Sequence, residues 1–297
     1  MENFKTVGVI GLGNMGRGMA LTLQRSGYAV LGLDKSEQVA AVAREAGIPL
    51  ASSLPELARA CSAIVLSLPT SAIVRAVLEG AEGLLANAAP GTLLIDTTTA
   101  DPQITRELAA VLKEKNIRFV DVPVSGGPTG AMKGELTMFI GGSEEDVAYA
   151  NPILSALGTK RFHIGEVSAG HVAKLINNLL TASHLVTASE AFRLANAAGI
   201  STEQLIEAVN AGSGRSGVTL FNYPTRILNN TYSSGFTMQL MRKDVNLAVS
   251  LGDALGLSLP AVSVIGDIWK SSASALADGE DFNRIVNFER DKSPAKV

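Results

Sequence analysis

A five-residue apolar run, "TVGVI" (6–10), breaks into "GLGNMG" and passes at once into apolar residues at helical spacing up to Ser26. Gly11, Gly13 and Gly16 stand in that break with G-x-G-x-x-G spacing. A run this short, closed by glycine, reads as a buried strand, and the stretch after it as a helix. The same alternation then repeats. "YAVLGL", a helix over 37–46, "AIVLSLP", a short helix, "TLLID", a helix over 102–115, "RFVDVPV", "ELTMFIGG", a helix from Ser143 and "RFHIG" follow in turn. Short continuous apolar runs separated by helices predict an α/β layer structure, a mostly parallel sheet covered by helices on both faces.

From about Ser168 the pattern changes. "AGHVAKLINNLLTASHLVTASEAFRLANAAG" carries apolar and small residues at helical spacing and stops at Gly199. A continuous helix of about 30 residues would be ~45 Å long. "TEQLIEAVNAG", "FTMQLMRKDVNLAVSLGDALG" and "PAVSVIGDIWKSSASALADG" follow, each closed by glycine, a common helix stop. The switch divides the chain into an α/β domain, 1–166, and an all-α domain, 167–297. The tail "RDKSPAKV" is expected to fray.

Composition narrows the function classes. The chain has a net charge of −3 and no block of like charge, which argues against nucleic acid or an anionic membrane surface as the main partner. Its one cysteine, Cys61, allows no disulfide framework, as in a reducing compartment. His163, His171 and His184 lack metal-ligand spacing, so no metal is expected. No apolar run approaches the roughly 20 residues of a membrane span. The N-terminus lacks the pattern of a signal peptide, and a soluble cytoplasmic protein is expected.

The glycines between first strand and first helix have separate physical tasks. Gly11 makes the tight turn, Gly13 lets the backbone approach a pyrophosphate, and Gly16 allows close packing of helix on strand. The helix N-terminus favours negative charge. Asp34 ends the second strand, where a carboxylate accepts hydrogen bonds from both ribose hydroxyls of NAD. That carboxylate repels the extra phosphate of NADP, so NAD is the expected cofactor. Lys35 and Ser36 beside it leave NADP possible.

Two further stretches suggest chemistry. In "DVPVSGGPTGAMKGELTMFIGG" (121–142), Ser125, Gly126 and Gly127 present a hydroxyl and bare backbone N–H groups, a concavity suited to a carboxylate. A purely structural turn is the alternative. In "GHVAKLINN" (170–178), Lys174 sits in an apolar helix with Asn178 one turn later on the same face. A lysine there is costly unless it is partnered or its head reaches water. Next to a domain boundary, where an interdomain cleft is expected, a desolvated lysine with a lowered pKa can take the proton of a substrate hydroxyl. "RKDVNLA" contains Lys243 and Asp244, which read as ordinary helix charges.

Taken in order, "GLGNMGRGMA", "DVPVSGGPTGAMKGELTMFIGG", "GHVAKLINN" and "RKDVNLA" resemble the β-hydroxyacid dehydrogenase family over nearly the whole chain. Its members include 3-hydroxyisobutyrate dehydrogenase and tartronate semialdehyde reductase. The resemblance implies a Rossmann-type domain, a long interdomain helix, and an all-α domain that makes homodimer or homotetramer contacts. It implies Lys174 as general acid/base and Asn178 as the residue that orients the substrate. It further implies Ser125, Gly126 and Gly127 as the carboxylate site. Thr99, in "DTTTADP", would lie near nicotinamide and substrate, and Lys243 would contact both. Gly11, Gly13, Asn14, Met15, Gly16, Asp34, Leu68 and Pro69 fall in the cofactor-binding segments. "TTT" stands where many relatives carry Ser-Ser or Ser-Thr, which keeps the hydroxyls and alters the pocket.

The implied substrate is a small carboxylic acid with a hydroxyl on the β-carbon, or the matching semialdehyde. "GSGRSG" (212–217) resembles a stretch of the 3-hydroxyisobutyrate enzymes, and Arg215 either meets a second polar group of the substrate or caps a helix. Two other readings stay open. One is an NADPH-dependent reductase of small aldehyde acids, which cofactor preference would separate. The other is a non-catalytic dinucleotide-binding sensor, a role in which Lys174 has no purpose.

Overall fold

β1 (Thr6–Ile10) pairs in parallel with both β2 (Ala29–Leu33) and β3 (Ala63–Leu66), and the glycine turn leaves its end for α1 (Asn14–Arg25). The structure, a computed structural model, describes residues 4–288; the tail "RDKSPAKV" lies outside the described residues. The chain forms two compact units, Met1–Lys174 and Leu175–Val297.

In the first unit, α2 (Glu37–Glu45) and α3 (Leu54–Ala60) link β2 to β3, and α4 (Ser71–Leu78) and α5 (Leu84–Asn87) lead to β4 (Leu93–Asp96). α6 (Pro102–Glu114) leads to β5 (Arg118–Asp121). Then come β6 (Val124–Ser125), α7 (Gly127–Lys133), β7 (Thr137–Gly141), α8 (Glu144–Leu157) and β8 (Lys160–Gly165). The strand order is β2-β1-β3-β4-β5-β7-β6, with β8 pairing β7. The run from β2 to β5 is parallel; β7 is antiparallel to β5 and β6, and parallel to β8. Beyond β2, where the Rossmann order places a third strand, one parallel bridge joins Gly32 to Leu50. The order reverses between β1 and β3, and such switch points are where open α/β sheets bind ligands.

Strand alternation sorts the side chains into two cores. Val7, Val9, Ala63, Val65, Leu93 and Ile95 face one core, with Met19 and Leu23 of α1 and Ile153 of α8. Ile10, Ile64, Leu66 and Leu94 face the other, with Leu57, Leu78 and Leu108. Residues buried on both faces explain why these strands read as continuous apolar runs. Ser36, Ser53, Thr70, Asp101 and Ser143 each accept a first-turn N–H from the helix that follows.

Among its described residues the second unit forms helices and their connections, with no named strand. α9 (Ala169–Ala197) opens within the first unit; its remainder is followed by α10 (Thr202–Ala211), α11 (Met238–Ala254) and α12 (Pro260–Ser271). α9 runs unbroken for 29 residues and ends before Gly199, whose φ is +82°. Trp269 is fully buried in this unit's core and donates its indole N–H to Ala182 O at 3.3 Å. Residues Val218–Ile227 form a π-helical stretch that the sequence pattern does not reveal. Pro224 lies inside it, and the missing N–H interrupts a regular α-helical ladder there.

Candidate active site

At the end of β1, Gly11 has φ +87° and donates its N–H to Leu33 O at 2.9 Å. A Cβ on Gly11 would lie 2.3 Å from Ser67 O, and one on Gly16 only 1.8 Å from Gly11 O, so neither position admits a side chain. Gly13 is exposed and has nothing within 4 Å of its would-be Cβ, which leaves the backbone open to a ligand. Asp34 points back at this turn. Its Oδ2 accepts the Leu12 N–H at 2.8 Å and its Oδ1 the Ser36 N–H at 2.9 Å.

A cavity of about 480 Å³ opens here, lined by Gly11, Gly13, Asp34, Leu68 and Pro69, with an apolar wall that includes Leu54, Ile73 and Val77. Asn14 is exposed beside it, and Met15 packs against the core. The "TTT" loop braces the far side. Thr97 Oγ1 donates to Leu66 O at 2.7 Å, Thr98 Oγ1 accepts the Leu68 N–H at 3.2 Å, and Thr99 is half-buried. An apolar slot, bare backbone at Gly13 and a fixed carboxylate at Asp34 fit a dinucleotide.

The Ser125 turn is tied to the same region. Gly126 and Gly127 have φ of +126° and +62°, and α7 starts directly after the turn, where the sequence suggests only a glycine-rich loop. α7 packs closely on α1: Thr22 Oγ1 donates to Ala131 O at 2.7 Å, and a Cβ on Gly18 would meet Ala131 Cβ at 2.9 Å. Ser125 lies opposite Thr137 in the β6–β7 pair, so the two side chains share a face. Phe139, two residues further along β7, shares that face, while Met138 and Ile140 point into the core. Lys174 places Nζ 5.9 Å from the centre of the Phe139 ring, and is itself buried, 7% exposed. The ammonium and the Ser125 turn therefore lie on one side of the sheet.

Asn178 and Lys243 belong to the second unit and meet at one residue, Asp244. Asn178 Nδ2 donates to Asp244 Oδ2 at 2.6 Å, and Lys243 Nζ lies 2.9 Å from Asp244 Oδ1. Asn177 Nδ2 donates to Asn178 Oδ1 at 3.0 Å. Asp244 is 1% exposed, so the Lys243–Asp244 pair is not the ordinary helix charge that its sequence suggests. Arg215 is exposed on the connection after α10.

Four buried polar residues around the start of α9 carry no sequence signal. Asp96, Thr105, Asp121 and His171 are each at most 2% exposed. Asp121 Oδ1 accepts the Ser168 N–H at 2.7 Å and Oδ2 the His171 N–H at 2.9 Å. His171 Nδ1 lies 2.8 Å from Thr105 Oγ1, and its ring nitrogens are each 3.9 Å from a carboxylate, Asp96 on one side and Asp121 on the other. Burial pushes the Asp96 carboxyl above the ordinary range, against the opposing pull of His171. Only the burial of a histidine against the paired carboxylates at the ends of the neighbouring strands β4 and β5 reveals this group.

Comparison with known proteins agrees with this geometry. Residues 6–165 match the family described as the NAD binding domain of 6-phosphogluconate dehydrogenase. Residues 168–288 match that described as NAD-binding of NADP-dependent 3-hydroxyisobutyrate dehydrogenase. The chain is 37% identical to the probable mitochondrial 3-hydroxyisobutyrate dehydrogenase of Dictyostelium discoideum, over 96% of this chain and 90% of that one. It is 32% identical to 2-(hydroxymethyl)glutarate dehydrogenase of Eubacterium barkeri, over 96% and 95%. The structure of Mycobacterium tuberculosis 3-hydroxyisobutyrate dehydrogenase with L-serine superposes with a TM-score of 0.88 at 32% identity, covering 95% of this chain and 98% of that one. Among the described residues no helix is long and apolar enough to cross a membrane. The glycine turn, the dinucleotide cavity and two matches that together span nearly the whole chain lead to one conclusion: the chain belongs to the β-hydroxyacid dehydrogenase family, NAD(P)-dependent enzymes that act on the CH–OH group of hydroxy acids.

Proposed function

We propose that the substrate is a short acid with a hydroxyl on its β-carbon, of the 3-hydroxyisobutyrate type, and that Lys174 is the general acid/base. One observation carries this reading: the Lys174 ammonium and the Ser125 turn share one face of the β6–β7 pair. Ser125 and the N–H groups of Gly126 and Gly127 hold the carboxylate. The hydroxyl, two carbons away, reaches the lysine. When bound, the nicotinamide ring supplies the acceptor or donor of hydride. Lys174 takes the hydroxyl proton as the C–H bond breaks in oxidation and returns it in reduction. Thr99 contacts substrate and nicotinamide. The roles of Asn178, as substrate-orienting residue, and Lys243, as a contact to substrate and cofactor, rest on the family resemblance and on their shared partner Asp244.

NAD is favoured over NADP. Both oxygens of Asp34 are held by backbone N–H groups, which supports a carboxylate that stays at the ribose position and repels a 2′-phosphate. Assembly into a homodimer or homotetramer is supported by exposed apolar side chains of the second unit, among them Ile176, Leu180, Leu194 and Phe221. A reducing, cytoplasmic compartment suits the single buried Cys61.

A panel of 2- and 3-hydroxy acids and their semialdehydes, each with NAD and NADP, tests the reading through absorbance of the reduced nicotinamide. The highest kcat/KM is expected for a 3-hydroxy acid with NAD. A preference for 2-hydroxy acids, or equal use of a 3-hydroxy ester, contradicts it.

A further inference from the structure

We infer that Asp121 is a positioning residue for Lys174: its buried carboxylate clamps the first turn of α9, with Thr105 holding His171 from the side, and thereby sets where the lysine amine stands. The inference rests on the reading of Lys174 as acid/base and extends it to residues with no contact to substrate.

The first N–H groups of a helix have no partner within the helix. At the start of α9 two backbone N–H groups, of the residue just before the helix and of its third residue, are taken by a carboxylate from another element, at the end of β5. Ser168 N–H donates to Oδ1 at 2.7 Å and His171 N–H to Oδ2 at 2.9 Å. Asp121 is fully buried, so its charge is tolerable only with such charge-assisted bonds, and the helix N-terminus adds a favourable field. The approach is as close as backbone allows. A Cβ on Gly170 would lie 2.5 Å from Phe139 O and 2.7 Å from Asp121 O, and one on Gly141 would lie 2.4 Å from Asp121 Oδ1. The helix start is therefore wedged against the ends of β5 and β7.

The flank of that turn is fixed as well. Thr105 Oγ1 stands 2.9 Å from Asp101 O and 2.8 Å from His171 Nδ1, within hydrogen-bond distance of both. Arg106 Nη1 donates to Ser168 Oγ at 2.9 Å, and Ser168 holds φ +79°, a left-handed conformation that a serine keeps only under constraint. Lys174 follows His171 by three residues and so lies one turn above it on the same side. A shift of the first turn moves the amine with it, and a displacement of about 1 Å can cost roughly 10²-fold in rate.

Asp121→Asn keeps the shape but offers one acceptor where two N–H groups need it. Thr105→Val removes the hydrogen-bond partner of His171, and Thr105→Ser retains it. The measurements are kcat, KM for acid and cofactor, and melting temperature, for each variant in the natural background and with Lys174→Ala. The expected result is a kcat lowered roughly 10- to 10²-fold by Asp121→Asn, within the cost of a misplaced group, with KM for the cofactor unchanged. Thr105→Val should lower kcat less, and Thr105→Ser should restore it. In the Lys174→Ala background neither change should lower kcat further, because no amine is left to misplace. Equal losses in both backgrounds would make the clamp a general structural feature and overturn the inference. So would normal kcat for Asp121→Asn and Thr105→Val when Lys174→Ala alone is impaired. Normal turnover by Lys174→Ala would remove the acid/base reading itself and this inference with it. If Asp121→Asn fails to fold, the Thr105→Val and Thr105→Ser pair decides by the same comparison.

Discussion

Leu12 donates its backbone N–H to Asp34 Oδ2 at 2.8 Å, across 22 residues of chain. The bond joins the glycine turn to the end of β2 and, with Ser36 N–H on the other oxygen, holds the carboxylate at the mouth of the dinucleotide cavity. Replacing Asp34 with serine or glycine removes the repulsion toward a 2′-phosphate and the acceptor for ribose hydroxyls. Hydrogen bonds to a charged group contribute about 1.5–3 kcal/mol, so the NAD/NADP ratio of kcat/KM should fall roughly 10- to 10²-fold. Steady-state kinetics with both cofactors checks this. Faster turnover of the natural protein with NADP at equal concentration would contradict the role given to Asp34.

Ser125 stands at the start of the turn proposed to hold the substrate carboxylate. Ser125→Ala removes one donor to a charged group, and KM for the acid should rise roughly 10-fold or more while KM for the cofactor stays constant. A substrate esterified at its carboxylate should be poor with the natural protein and should lose little more on Ser125→Ala. Equal rates for acid and ester would remove the carboxylate role.

Lys174→Ala should leave the melting temperature and cofactor affinity nearly intact and lower kcat by roughly 10²-fold or more, the contribution of a positioned acid/base. Lys174→Arg should be nearly as impaired, because a guanidinium stays protonated and does not take the proton. In the oxidising direction kcat/KM of the natural protein should rise with pH, since only the neutral amine acts as base, and that limb should flatten in Lys174→Ala. Near-normal turnover with cofactor bound would make Lys174 a bystander and move the role to Lys243.

Cys61 is buried in the core beneath β3, and burial pushes its thiol up to about 11. A raised value means that the fold favours the protonated thiol. That contribution to stability is complete below the unfolded value near 9.0 and is lost as pH rises through about 11. Native protein at pH 8 should therefore resist thiol-directed alkylation that proceeds readily after unfolding. Rapid labelling of folded protein, followed by mass spectrometry of the Cys61 peptide, would contradict the burial of this side chain.

The readable part of the molecule is the part that sequence neighbours decide. Gly11, Gly13 and Gly16 do their work within six residues of one another, and the apolar runs of β1, β3 and β4 form their strands because both faces of the sheet are covered there. Lys174 was legible for a related reason, since a charge in an apolar helical stripe is a conflict visible along the chain itself. α7 was hidden because glycine and proline fill its first turn, and residues 218–227 because Pro224 breaks the regular spacing. Other features depended on distant chain segments meeting. Asp121 finds its N–H partners 47 and 50 residues away, His171 meets Thr105 across 66, and Asn178 meets Asp244 across 66. No local propensity encodes such pairs. A buried carboxylate or imidazole becomes tolerable only when the folded chain brings it a hydrogen-bonding partner, so the setting of the lysine was decided by tertiary structure alone.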